Sequence, residues 1–152
     1  MRAVVTRVKY ASVTIDGVEK GRIGSGLLVL LGIHNEDTQA QASWMADRIC
    51  GLRIFADAEG KMNISPKDAG ASILIISQFT LYADIRSRRP GFTGAAKPET
   101  AIPLYEQVIE ECRDRGFHVE TGQFGADMQI ESLNDGPVTI LISTDDPTGK
   151  QA

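Results

Sequence analysis

The sequence is poor in the residues that build metal centres, disulfide frameworks and base-stacking surfaces. Its 152 residues include only two cysteines, Cys50 and Cys112, and two histidines, His34 and His118, and these four show no metal-ligand spacing. Neither a structural metal nor a disulfide scaffold is expected. Both cysteines fall at apolar positions of predicted helices, where free thiols act as core filler, which points to a reducing, cytoplasmic setting. Aromatic residues make up 6% of the chain, with a single Trp, which weighs against a module that stacks bases. Basic charge is not in excess: 16 Lys and Arg stand against 20 Asp and Glu, a formal net charge of -4. That disfavours a basic nucleic-acid glove and leaves room only for a local patch. The longest strongly apolar run, Leu27 to Ile33, is far shorter than the roughly 20 residues a bilayer demands. MRAVVTRVKYASVTI lacks the apolar stretch and cleavage site of a secretory leader, so no membrane segment or leader is expected. No G-x-G-x-x-G opens a helix after the first strand, and no G-x-S-x-G is present, which disfavours a dinucleotide fold and a Ser-His-Asp hydrolase.

What is present reads as a single domain over residues 1 to 144 with a mobile tail at 145–152. Ala3 to Ile15 mixes apolar and polar positions at period two, rich in β-branched side chains, and Asp16-Gly17 then supplies a tight hairpin turn. GLLVLLGI predicts a strand covered on both faces. Asp37 serves as N-cap of a helix over about 38–52, with Ala42, Met45, Ala46, Ile49 and Leu52 on its apolar face. RIFADAEGKMN predicts two short strands about a turn, and ASILIISQFTLYA a long buried strand with a polar interruption. Asp84 to Pro98 has no period and reads as a loop, and a second amphipathic helix runs from Glu99 to Arg115, stopped by Gly116. About eight strands, two helices and no regular βαβ alternation predict an α+β fold. Its mixed or antiparallel sheets should curl into a β-barrel-like body with both helices on one side.

Three constellations could carry chemistry. Ser77-Gln78-Phe79-Thr80-Leu81 places hydrogen-bonding groups where SILII would otherwise continue apolar. This is either a strand leaving the core or a binding floor whose hydroxyl, amide and backbone N–H groups meet a ligand or an oxyanion. Gly136-Pro137 stands between two strand-like segments, MQIESL and VTILIS. It is either a turn joining them or a cis peptide that aims neighbouring carbonyls. Arg86, Arg88 and Arg89 cluster in the loop ahead of Phe92, as a solvated face or a phosphate contact. His34 and His118 lie at strand ends and read as edge residues.

Taken in order, AVVTRV, ASVTIDG, LRIFADAEGKMN, SQFTLYAD, the RRPGF loop, TGQFGADMQI and NDGPVTI resemble the D-aminoacyl-tRNA deacylases over residues 1 to 144. SQFTL and NDGPVT, with FGADMQ between them, carry the likeness most specifically. The resemblance implies a cytoplasmic hydrolase that cleaves the ester between a D-amino acid, or glycine, and the 3'-terminal ribose of tRNA. It also implies a homodimer with active sites at the subunit interface, the aminoacyl-tRNA acceptor end as partner, and no cofactor or metal. Carried over by motif, Ser77 and Gln78 line the pocket near the scissile ester, the Phe79 N–H is an oxyanion donor, and Thr80 supplies a hydroxyl. Gly136 and Pro137 match the cross-subunit motif, cis in that family, whose carbonyls hold the substrate amino group and exclude an L side chain. Arg7 matches the residue that braces this motif. Phe124, Gly125, Ala126 and Met128 match the segment on the terminal-adenosine side of the pocket.

Thr80 is not the expected nucleophile, because a hydroxyl without an adjacent base is weak. The expected chemistry instead orients water with help from the substrate 2'-hydroxyl. The Arg loop departs from the family pattern, being about one residue shorter between Asp84 and Pro90 and carrying Gly91 where serine is common. The competing readings are a sister deacylase of misacylated L-Ala-tRNA and a noncatalytic RNA-binding barrel.

Overall fold

The structure, a computed structural model, describes residues 1–145, so the expected tail falls outside it beyond Asp145. The first strand, β1 (Arg2–Ile15), turns through Asp16 and Gly17, both at positive φ (50° and 78°), into β2 (Val18–Ile23). This is the geometry for which Asp-Gly is chosen in two-residue hairpins. The strand β3 (Gly26–Gly32) leads to α1 (Gln39–Gly51), then to the short pair β4 (Phe55–Ala56) and β5 (Met62–Ile64), and to β6 (Ser72–Ser77). A 3-10 helix (Phe79–Tyr82), α2 (Pro98–Asp114), β7 (Val119–Thr121) and β8 (Gln129–Ser143) complete the order.

The main sheet runs β2-β1-β3-β6-β7, with β8 on the other side of β1. Its pairings with β1 are antiparallel, while β3–β6 and β6–β7 are parallel, so the sheet is mixed. It curls toward a barrel. Period two along β3 explains why its pattern is apolar throughout: Leu27, Val29 and Leu31 join the cluster under α1 and α2, with Met45, Ile49, Val108 and Cys112. Leu28 faces the opposite way and packs with Val8, Val13, Leu74 and Ile76 inside the curled sheet. Burying one such side chain contributes about 1.5–3 kcal/mol, so the two faces together hold the strand in register.

Three expectations need correction. The segment ASILIISQFTLYA is not one strand: β6 stops at Ser77 and the chain turns into the 3-10 helix. Gly32 is the reason the turn fits against β3, since a Cβ there would lie 2.9 Å from the Gln78 carbonyl oxygen and 3.0 Å from Leu81 Cβ. The N-cap of α1 is Thr38, not Asp37. Thr38 N–H donates to Gln41 Oε1 at 2.8 Å in a capping box, while the Asp37 carboxylate accepts from His34 N–H at 2.7 Å. Finally, Asn134 to Pro137 is not a turn between two strands, because β8 continues through it.

Candidate active site

Ser77 ends β6 opposite Leu31, and Gln78 N–H donates to the Leu31 carbonyl at 2.8 Å, so the chain leaves the sheet at a fixed point. In the 3-10 helix that follows, Leu81 N–H is the first to find a helical acceptor, the Gln78 carbonyl. The N–H groups of Phe79 and Thr80 precede it in the first turn, where a helix cannot satisfy its own donors. The Gln78 amide donates to Thr80 Oγ1, so the two polar side chains are tied to each other. From below, Tyr105 of α2 steadies the end of β6 by donating its hydroxyl to the Ile75 carbonyl at 2.8 Å. Burial pushes that phenol well above the ordinary tyrosine range.

The second wall comes from the connection between β7 and β8. Gly125, at φ 79°, turns the chain there, and Ala126 N–H donates to the Gln123 carbonyl at 3.2 Å. Phe124 packs toward the helix-side core, its ring 6.2 Å from that of Tyr105, while Ala126 and Met128 pack on the inner cluster. Met128 also fills the space beside Gly122, where a Cβ would collide with its sulfur.

Between the walls lies a cavity of about 270 Å³ lined by Ser77, Gln78 and Phe79 on one side and Phe124 to Met128 on the other, with Ile76 and Ile130. Seven of the residues singled out from sequence thus come together: Ser77, Gln78, Phe79, Phe124, Gly125, Ala126 and Met128. Asp127 and Ile130 were missed, although Asp127 sits inside the FGADMQ string, where its carboxyl is the one ionisable side chain of this lining. Thr80 is outside the lining, exposed on the outer side of the turn. A wider depression of 380 Å³ along α2 shares Phe124 and presents Glu106, Glu110 and Arg113, with none of the Ser77–Phe79 turn.

Gly136 and Pro137 do not line the cavity of their own chain; both are exposed. In the β1–β8 ladder Thr6 faces Thr139 and Val8 faces Asn134, so Asp135 to Val138 stand opposite Arg7 alone and bulge out. The Gly136-Pro137 bond in this bulge is cis, and Gly136 has φ 132°, a conformation that favours glycine. The bulge is pinned at its base, where Val138 N–H donates to Asn134 Oδ1 (3.0 Å) and Asn134 Nδ2 to Thr139 Oγ1 (3.1 Å). Arg7 pins its flank: Nε donates to the Asp135 carbonyl at 3.0 Å, and Nη1 to the Ile54 carbonyl at 2.6 Å.

Neither histidine reaches the cavity. His34 lies against Tyr82, ring centroids 5.0 Å apart, and His118 is largely exposed beside Glu120. Among the described residues no group of three or more His, Cys, Asp or Glu side chains is placed to hold a metal ion. None of the described helices is long and apolar enough to cross a membrane.

The family model described as D-Tyr-tRNA(Tyr) deacylase matches residues 4–143, which include the cavity, Arg7 and the Gly136-Pro137 bulge. The chain belongs to this family. Among curated members, the D-aminoacyl-tRNA deacylase of Desulfitobacterium hafniense (strain DSM 10664 / DCB-2) is 56% identical over 146 residues, covering 95% of this chain and 98% of the relative. The D-aminoacyl-tRNA deacylase of Thermus aquaticus is 51% identical over 152 residues, 99% of this chain and all of its own. Of solved structures, the c-Myc DNA Unwinding Element Binding Protein superposes with a TM-score of 0.90 at 42% identity, covering 95% of this chain and 99% of that one. A probable eukaryotic D-amino acid tRNA deacylase shares the fold, with a TM-score of 0.80 at 17% identity over 93% and 97% of the two chains. Deacylase-family membership therefore rests on the whole length of the fold, both walls of the cavity included.

Proposed function

We propose that the protein is a D-aminoacyl-tRNA deacylase, a hydrolase that cleaves the ester between a D-amino acid, or glycine, and the 3'-terminal ribose of tRNA. Family membership over residues 4–143 carries this reading. Neither the L-Ala-tRNA deacylase nor the binding-only barrel accounts for it as well.

The ester carbonyl is placed against the turn at Ser77 to Phe79. Water adds to the carbonyl carbon, and the negative charge gathering on the carbonyl oxygen is met by the Phe79 N–H, which the 3-10 helix leaves without an internal acceptor. The C–O bond to the ribose then breaks, and the departing 3'-oxygen takes the proton that the water gave up, with the adjacent 2'-hydroxyl as relay. This route suits a cavity that no imidazole enters. Phe124, Gly125, Ala126 and Met128 form the side on which the terminal adenosine rests.

Chirality is assigned to the Gly136-Pro137 bulge, acting in trans. In its own chain the bulge is exposed and apart from the cavity. It stands on β8, which among the described residues pairs with β1 alone and exposes Leu133 (51%) and Leu141 (79%). A second copy packed against β8 would bring the bulge to the partner's cavity, so the working species is a homodimer. There the backbone carbonyls hold the substrate amino group and occupy the space an L side chain requires. A backbone wall rejects more strongly than a missing methylene, which is worth about 1–3 kcal/mol. Glycine passes because it has no side chain to exclude. The buried free thiols Cys50 and Cys112 suit a reducing, cytoplasmic setting, where charged tRNA is found.

The test is deacylation of D-Tyr-tRNA and L-Tyr-tRNA side by side at equal enzyme concentration. Rapid loss of the D ester with the L ester spared is expected; equal rates would remove the chiral role, and no hydrolysis of either would remove the enzyme assignment.

A further inference from the structure

The two thiols of the chain take no part in the reaction at the cavity, yet the fold brings them together. Cys50 lies in the last turn of α1 and Cys112 in the last turn of α2, and their sulfurs are 3.6 Å apart. They are the only two cysteines in the sequence. The same two helices are also tied by polar contacts: Ser43 Oγ donates to Glu111 Oε1 at 2.6 Å, and Gln107 Nε2 donates to the Gln39 carbonyl at 3.1 Å. A disulfide needs its sulfurs about 2 Å apart, so a movement of roughly 1.5 Å, divided between two side chains, closes the bond.

Access to the two sulfurs differs. Cys112 is fully buried, whereas Cys50 is 8% exposed and lines an open depression of about 450 Å³, among Asp47, Lys67, Asp114 and Arg115. Lys67 Nζ donates to the Arg115 carbonyl at 2.8 Å, and Arg115 Nη1 to the Glu111 carbonyl at 3.1 Å, which fixes both basic residues in place. The hydrogen bond shared with Cys112 lowers the Cys50 thiol below its ordinary value, against the burial that raises it, and the Arg115 charge adds to the lowering. The same bond, with burial, pushes Cys112 up. An accessible thiol that ionises first, backed by a buried second thiol within reach, has the layout of an attacking and a resolving cysteine.

We propose that Cys50 and Cys112 are a peroxide-oxidisable pair that forms a reversible disulfide joining α1 to α2. The Cys50 thiolate attacks hydrogen peroxide: an S–O bond forms, the O–O bond breaks, and the departing hydroxide takes up a proton as water. Cys112 sulfur then attacks the Cys50 sulfenic acid, the S–O bond breaks, and the second oxygen leaves as water with the Cys112 proton. Two thiols are oxidised to one disulfide and one peroxide is reduced to two waters. With Cys112 in reach, the sulfenic acid is consumed before it can pass to the irreversible sulfinic acid. The bond forms away from the cavity: Lys67 and Phe117, beside the thiols, precede the parallel strands β6 and β7, whereas the cavity is lined by residues that follow them. It is a staple for the helix layer that leaves the cavity open and acts independently of the ester chemistry.

The test exposes the reduced, folded protein to hydrogen peroxide, then blocks remaining thiols with N-ethylmaleimide under denaturing conditions and reads the intact mass. The expected product has lost two hydrogens, carries no maleimide, runs as a single chain on a non-reducing gel and regains both thiols with dithiothreitol. Because the bond spans 62 positions of the chain, it should raise the melting temperature by about 5 °C or more. In C112S the reaction should stop at a Cys50 sulfenic acid that dimedone traps. In C50S the buried Cys112 should stay unmodified, with thermal melts of both reduced variants showing that they fold. Two free thiols after a peroxide exposure that fully oxidises free cysteine would overturn the proposal. So would a bond that forms only between chains, oxidation of Cys112 in folded C50S at the parental rate, or a melting temperature lowered by the disulfide.

Discussion

Arg7 and Gly136 are fitted to each other: a Cβ added to Gly136 would lie 3.0 Å from Arg7 Nη2 and 2.8 Å from Val138 Cγ2. The glycine is required twice, once for its φ of 132° and once for the room it leaves the guanidinium. Gly136→Ala is therefore expected to destabilise the chain by about 1–2 kcal/mol, the cost of forcing an L residue into that region. Deacylation should fall far more than the fold does, on the order of a hundredfold, because the bulge is displaced. Thermal melts beside D-Tyr-tRNA turnover check this; an alanine variant with full activity would detach the bulge from the chemistry.

Arg7→Lys tests the brace. The guanidinium reaches two carbonyls in different directions, those of Ile54 and Asp135, and an ammonium on a flexible stem cannot hold both. The variant should remain folded, losing about 1–3 kcal/mol for the carbonyl left unpaired. Discrimination between D-Tyr-tRNA and L-Tyr-tRNA should decline together with the D rate. A fall in rate with discrimination intact would mean that Arg7 supports the fold alone.

Thr80→Ala should keep deacylation within about tenfold of the parent, since the hydroxyl lies outside the cavity lining and is engaged by Gln78. A loss of three or more orders of magnitude would make the hydroxyl the nucleophile and discard the water route.

Tyr105 makes a prediction about alkaline stability. Burial raises its pKa above the unfolded value of 10.0, so the folded chain holds the phenol proton more tightly. The stabilisation is complete below pH 10 and is lost as pH rises above it toward the folded value. Tyr82, raised by burial and by the Asp145 carboxylate it bonds, acts in the same direction. Tyr105→Phe should lose about 1 kcal/mol at neutral pH, the bond to the Ile75 carbonyl, and show a shallower decline above pH 10. Urea melts from pH 7 to 11 give both quantities.

Much of the fold was legible because it rests on local signals. Period two in β1, the Asp16-Gly17 turn, the double-sided apolar run of β3 and the 3.6-residue faces of α1 and α2 are statements about neighbours in sequence. The errors have different causes, one distant in the chain and one local. The strand expected through SQFTLYA ends at Ser77 because the following turn packs against Gly32, a residue 45 positions away in β3, which no local pattern reports. Asp37 looks like a cap and serves another donor, the N–H of His34, because Thr38 and Gln41 close the box first.

The sequence by itself determined most element types, the two-faced core and, through SQFTL, FGADMQ and NDGPVT, the family. Tertiary structure decided which of those strings meet. Ser77 to Phe79 and Phe124 to Met128 share a cavity because the parallel β6–β7 pairing brings their strand ends side by side. The Gly136-Pro137 bulge is turned elsewhere because its partner is Arg7 on β1, across an antiparallel ladder. Strand pairing between residues distant in the chain is selected by packing over the whole sheet, and that is a property no single segment carries.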